Sequence, residues 1–196
     1  MEAKQADDHD MVWTSTLVPF GILNLNTDRL SIYFGNSAET SDFIVDCLTR
    51  WWSEHKEYYH ELEELLINLD GGSATRSDRK QFIKRIVQLA KSVGVKIRLI
   101  YYPPYHSKYN PIERCWAALE KYWSGTILDS VETAVKWAAN MKWKGASPNV
   151  HLITKKYEKK ITVSKEELKQ YQIFWLASQT LPKWDITIMP LERYLI

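Results

Sequence analysis

The sequence predicts an α/β fold, a mixed β-sheet flanked by helices. Three observations lead there. Short stretches rich in apolar residues, at 17–26, 29–35, 65–69 and 95–102, are bounded by turn-forming residues, as strands are. Other apolar residues recur at three- and four-residue spacing, as on the buried face of a helix. One stretch reads strand, helix, strand, which calls for a parallel pair joined by a right-handed crossover.

Residues 17–26 and 29–35 are rich in Ile, Leu, Val, Phe and Tyr and meet at Asn26-Thr27-Asp28, the pattern of an antiparallel hairpin. Phe43, Ile44, Cys47, Leu48, Trp51 and Trp52 then form one apolar stripe, a helix with Asn36 or Thr40 as its cap. Residues 65–69 are a continuous apolar run ending at Asp70-Gly71-Gly72, which predicts a strand buried on both faces and followed by a tight turn. Asp78 and Gln81 have capping-box spacing ahead of Phe82, Ile83, Ile86, Val87, Ala90 and Val93, a second helix that Gly94 ends. Residues 95–102 make the next strand, broken by Pro103-Pro104.

A third helix starts near Pro111, where proline suits the first turn, with Ile112, Cys115, Trp116, Leu119 and Trp123 on its buried side. Val131, Val135 and Ala138 suggest a fourth. Ser164 with Glu167 caps a short fifth, and residues 184–189 read as a terminal strand. This is the ribonuclease H-like order with its first core strand missing or displaced. The expected division is a polar segment 1–16, a partial core 17–125, and a helical extension of the same domain over 126–196.

A length of 196 residues suits one compact domain. With 45% apolar and 26% charged residues the body should fold rather than stay disordered. No apolar run approaches the roughly 20 residues that span a bilayer, and residues 1–16 are polar rather than signal-like. A prokaryotic cytoplasmic protein without a membrane partner is expected. Cys47 and Cys115 fall on apolar helix faces without CxxC spacing and read as core residues.

The net charge of +2 says little, but eight cations lie between Arg76 and Arg98 against one acid, Asp78. That run is either a solvated helix face or a phosphate-attracting surface.

Sites in open α/β sheets form beyond the carboxyl ends of strands, where Asp70 falls. Two glycines after it allow a sharp turn and close approach of a ligand. Alone, the pattern is also that of an ordinary Asp-Gly turn. Glu113, in the first turn of the third helix, is likewise also a favourable charge at a helix start. Together they are more informative: one helix, one strand and one loop separate them, enough to bring the chain back beside the first strand end. Two carboxylates without a neutral ligand suit a hard cation such as Mg2+, and two such ions suit in-line phosphoryl displacement. Zinc is not expected, because His9, His55, His60 and His151 lack ligand spacing with any Cys.

The run Tyr102-Pro103-Pro104-Tyr105-His106-Ser107-Lys108-Tyr109-Asn110-Pro111-Ile112-Glu113-Arg114-Cys115-Trp116 resembles the third-acid motif of DDE insertion-sequence transposases, above all the ISAzo-thirteen group of the mariner-like superfamily. Asp70-Gly71-Gly72 is similar to their second-acid motif. Val18-Pro19-Phe20-Gly21-Ile22 and Arg50-Trp51-Trp52 are similar to that group as well. The resemblance implies a ribonuclease H-like core that nicks DNA at element ends and joins the freed 3′ hydroxyl to target DNA. It makes Asp70 and Glu113 the second and third metal-binding acids, with Mg2+ or Mn2+ as cofactor in a two-ion site. Ser107, Lys108 and Asn110 match motif positions that shape the metal site or hold phosphate. Arg114 stands where the group usually has His. With the cations Arg76, Arg79, Lys80 and Lys84, these residues form the expected DNA-binding set.

The departure is at the amino terminus. The family's first acid is an Asp on a core strand upstream of the hairpin. Here only Asp7, Asp8 and Asp10 precede residue 17, with no apolar strand to position them, and a first strand at 17–26 would offer Asn24 instead of an acid. The expectation is therefore an amino-terminally truncated, split or decayed transposase, inactive alone, whose partners are DNA at element ends and target, the upstream half of a split transposase, and further copies of itself. Two rivals remain: a non-catalytic nucleic-acid-binding or interaction protein, and an unrelated hydrolase using Asp70 and Glu113 as acid and base.

Overall fold

A computed structural model describes residues 16–190 other than 104, 126, 127 and 129; the side chain of Ser107 also lies outside the description. The hairpin forms as β1 (Val18–Asn24) and β2 (Arg29–Gly35), antiparallel, with Val18 opposite Gly35 and Asn24 opposite Arg29. Helix α1 (Ser41–His55) follows, capped by Thr40, whose hydroxyl accepts from the Phe43 amide at 3.2 Å. A cap of this kind stabilises a helix by about 1 kcal/mol.

Strand β3 (Glu64–Leu69), helix α2 (Lys80–Val93) and strand β4 (Lys96–Tyr101) make the expected unit, with β3 parallel to β4. Gly94, at φ +70°, ends α2 in a left-handed cap. The expected capping box at its start does not form. Asp78 is held by the Arg76 guanidinium at 2.9 and 3.0 Å, and the Gln81 amide is taken by Asp42 at 2.9 Å. Arg79 occupies the cap position with no side-chain cap bond.

Helix α3 (Ile112–Trp123) and helix α4 (Val131–Asn140) are followed by β5 (Asn149–Ile153), helix α5 (Lys165–Gln172), β6 (Trp175–Ala177) and β7 (Asp185–Ile188). The Ser164 hydroxyl caps α5 as expected, accepting from the Glu167 amide at 3.0 Å. Strands β5 and β6 were not foreseen in the sequence.

Among the described residues the strands form two mixed sheets rather than one, β1-β2-β5 and β3-β4-β7-β6, with five α-helices around them. This α/β arrangement is consistent with a ribonuclease H-like fold. Helices α1 and α2 cover one side, burying Phe43, Ile44, Phe82, Ile86, Ile97 and Leu99 in a cluster shared by both sheets. Each fully buried side chain of this size contributes about 1.5–3 kcal/mol. Helices α3 and α4 cover the far face of β2, where Leu30, Ile32 and Phe34 meet Cys115, Leu119 and Ala138. The far face of β4 instead carries ion pairs, Lys96 to Glu64 at 2.9 Å and Arg98 to Asp185 at 2.7 Å. Both cysteines are core residues, and burial pushes Cys47 up to about 12 and Cys115 up to about 11.

One expectation fails in an informative way. Residues 65–69 are not buried on both faces: β3 is an edge strand and Leu66 is 47% exposed. Among the described residues its outer edge has no strand partner, and it lines one cavity with β1, which is also an edge strand.

His151 on β5 stacks on Tyr33 at 4.9 Å between centroids, with Nε2 3.2 Å from the Glu54 carboxylate. Burial lowers its pKa, and this outweighs the opposing pull of Glu54. A histidine whose folded pKa is depressed binds its proton more readily in the unfolded chain. Its neutral form therefore supports the fold above the ordinary histidine value, and that support is lost as pH falls below it. Thermal melting should drop as pH falls from about 7 to 5, around the ordinary histidine pKa of about 6.5, and His151→Gln should flatten that part of the profile.

Candidate functional site

Asp70 follows the last residue of β3 and is exposed. Gly71 turns the chain at φ +72°, a left-handed conformation that favours glycine. The Gly72 amide donates to Asp70 Oδ1 at 3.2 Å, so the carboxylate is steadied by the turn it begins. Two buried donors hold the loop beyond. The Tyr101 hydroxyl donates to the Thr75 carbonyl at 2.8 Å and the Ser41 hydroxyl to the Ala74 carbonyl at 2.6 Å. Burial raises the Tyr101 pKa, which keeps that hydroxyl a donor.

Glu113 lies in the first turn of α3, reached from β4 through the loop that contains the short 3-10 turn Ser107–Tyr109. Its helix is seated on the hairpin: Trp116 and Ile112 pack directly over Gly21. Asp70, Glu113 and Asn110 all line one cavity of about 470 Å3. The Asn110 side-chain oxygen also accepts from the Ile112 amide at 3.4 Å. Glu39, which the sequence reading passed over, lines the same cavity. Among the described residues no three acids, histidines or cysteines come close enough to hold a metal together.

The cavity is long because it runs between two strands. Residues 19–24 of β1 line one wall and all of β3 lines the other. The relative direction of these strands follows from two ties. At one end the Asn24 side-chain Nδ2 donates to the hydroxyl of Tyr59, which precedes β3. At the other, Ser41, just after β2, bonds the loop just after β3. Strand β1 therefore runs antiparallel to β3. Asn24 sits at the end opposite Asp70, where its side-chain oxygen accepts from the Asn26 and Thr27 amides and closes the hairpin turn.

The expected DNA-binding cations are spread over different surroundings. Lys108 and Arg114 are exposed near Glu113, with Lys108 5.1 Å from the Tyr109 ring centroid. Arg76 is exposed and paired with Asp78. Arg79 has its Nε buried. Lys84 is bound to Glu167 of α5 at 2.6 Å, and Lys80 points to the Val163 carbonyl at 3.4 Å. Arg85, next to Lys84, serves Asp42 and Asp46 of α1. The first acid sought at Asp7, Asp8 or Asp10 lies outside the described residues.

The family described as the Rhodopirellula transposase DDE domain matches residues 1–190. No curated protein and no solved structure matches the chain significantly. The family implies DNA as partner and generally uses divalent metal ions; no helix among the described residues is long and apolar enough to cross a membrane. With a match over nearly its whole length, on a fold that brings the two motif acids into one cavity, this chain belongs to the DDE transposase domain family of that group.

Proposed function

We propose that the chain carries two of the three carboxylates of a transposase active site, and that it nicks element-end DNA and transfers the freed strand once a third is supplied. The observation that carries this is the cavity shared by Asp70, at the carboxyl end of β3, and Glu113, in the first turn of α3. Their all-oxygen donor set, with Asn110 alongside, fits Mg2+ or Mn2+. Asp70 and Glu113 would hold the ions, which when bound supply charge stabilisation to the entering and leaving oxygens of the phosphate. The chain's residues orient them: the Gly72 amide fixes one Asp70 oxygen, and the seat of α3 on Gly21 fixes Glu113.

The third carboxylate belongs on an extended segment filling the groove between β1 and β3. That segment is carried on the same polypeptide or on a second one, such as the other half of a split transposase. Arg76, Arg79, Lys108 and Arg114 contact phosphates, with Ser107 and Asn110 shaping the site. Lys80 and Lys84 contribute to the field around α2 from within their contacts to the α5 region. Self-association, a cytoplasmic place on the nucleoid and the division at residues 16 and 125 complete this reading.

The test is nicking of an element-end duplex by a complete catalytic domain containing these residues. Asp70→Asn and Glu113→Gln should each lower the Mg2+-dependent rate by roughly 100-fold or more while leaving metal-free DNA binding intact. Unchanged nicking in both variants removes these acids from the chemistry. DNA binding with no cleavage by any complete domain favours the non-catalytic binding protein instead.

A further inference from the structure

Between β5 and α5 the chain crosses the outside of α1 and α2 as an irregular strap. Two buried side chains anchor it. Tyr157 is 8% exposed and packs edge-on against Phe43 at 5.5 Å. Its amide donates to the Ser37 hydroxyl at 3.1 Å and its hydroxyl to the Asp46 carboxylate at 2.9 Å. Val163 is 5% exposed and clusters with Ile83 and Leu168. Residues 158–162 between these anchors are all exposed.

The exposed part is strongly cationic. Residues 155–160 read Lys-Lys-Tyr-Glu-Lys-Lys. Lys155 is bound to Asp46 at 2.7 Å, a carboxylate that also serves Arg85 and Tyr157. Lys156 reaches only the Asn36 carbonyl, at 3.1 Å, and among the described residues Lys156, Lys159 and Lys160 have no carboxylate partner. Lys160 holds φ +63°, a left-handed conformation rare for residues with a side chain, so the strap turns at its most basic point.

Its position is the second observation. Strand β5 is parallel to β2, with Ile153 opposite Gly35, so the strap leaves the sheet where β2 ends. Asn36 and Ser37, which it touches, lie at that end. So does Ser41, which bonds the loop after Asp70. The cations thus stand on the end of the molecule that carries the acid pair, on the α1–α2 side.

We infer that the strap at residues 155–160 is a docking rail for the phosphate backbone of duplex DNA flanking the cut site. This rests on the DNA-directed reading above and adds to it a contact surface that the motif residues do not include. Rigid anchoring by Tyr157 and Val163 presents the ammonium groups with little backbone ordering left to lose on binding. Lysines on such a rail position a duplex without reading its bases.

The experiment is binding of the full chain to a fluorescent duplex, without divalent metal, over a series of salt concentrations. Replacing Lys156, Lys159 and Lys160 together by Gln should make the log–log salt dependence shallower by about 2 to 3, because each phosphate contact contributes about 0.9. The triple Arg variant should keep the original slope. Melting temperatures should be unchanged in both, since all three side chains are exposed. Duplex binding by the wild-type chain with a slope unmoved by the triple Gln variant overturns the rail and leaves DNA on the Arg76 and Lys108 side. Polyglutamate competing as well as duplex at equal charge overturns it in favour of an acidic polypeptide. A wild-type chain with no salt-dependent duplex binding removes both the rail and the DNA-directed reading.

Discussion

Residues 1–196 on their own should leave element-end DNA uncut with Mg2+ or Mn2+, and supplying an extended segment with one carboxylate at its carboxyl end should switch cutting on. Two acids leave a two-ion site short of charged ligands. Among the described residues β1 and β3 are both edge strands that line one groove, and their opposite directions are the ones that a single inserted strand would need. The same segment should raise the melting temperature, because a ligand that binds only the folded state stabilises it by mass action. The segment can be supplied on the same chain or as a separate peptide, and nicking and melting are followed side by side. Robust strand transfer by the chain alone, abolished by Glu113→Gln, overturns the idea; Asp7, Asp8, Asp10 or Glu39 then completes the site.

The second large effect concerns Gly21. A Cβ added there would lie 2.7 Å from Trp116 Cζ2 and 3.1 Å from Ile112 Cδ1, well inside van der Waals contact. Gly21→Ala should therefore lift the start of α3 off the hairpin. Overpacking of this kind costs about 1–3 kcal/mol, or roughly 2–12 °C in melting temperature for a chain of this size. Glu113 lies between the two displaced residues, so catalysis in the complete domain should suffer more than stability, by about 100-fold for a shift near 1 Å. Trimming the obstacle with Trp116→Leu in the Gly21→Ala background should restore part of the rate. A Gly21→Ala domain that melts normally and cuts at the wild-type rate shows that α3 is not seated through this contact.

Much of this was legible from residue spacing. The stripe from Phe43 to Trp51 and the stripe from Ile112 to Leu119 marked α1 and α3 because helical periodicity registers burial directly. The apolar run 65–69 with Asp70 behind it marked the end of β3, and Pro111 with the stripe behind it marked the start of the helix that carries Glu113. What failed depended on distant partners. Gln81 had the spacing of a capping residue, but Asp42, 39 positions away, holds its amide. Lys80 and Lys84 read as part of a solvated face or a phosphate-attracting surface, and their ties to the Val163 carbonyl and to Glu167, 83 positions on, had no local signal. Strand β5 is five residues long, and its parallel partner β2 lies more than a hundred residues earlier in the chain, so nothing local announces it. The role of Tyr101 in holding the Asp70 loop was invisible for the same reason: its hydroxyl meets a carbonyl 26 positions back.

The open groove also separates two properties that usually travel together. Side chains on a strand alternate between faces, so a segment shifted by one residue would still pair with both edges while presenting its acid to the wrong side. A segment in the right register with Asn in place of the acid would pair equally well and present no charge. Either would occupy the groove, stiffen the domain and keep the productive segment out. If the groove between β1 and β3 takes such a segment, a short peptide should inhibit competitively there while leaving Asp70, Glu113 and the cations near them untouched.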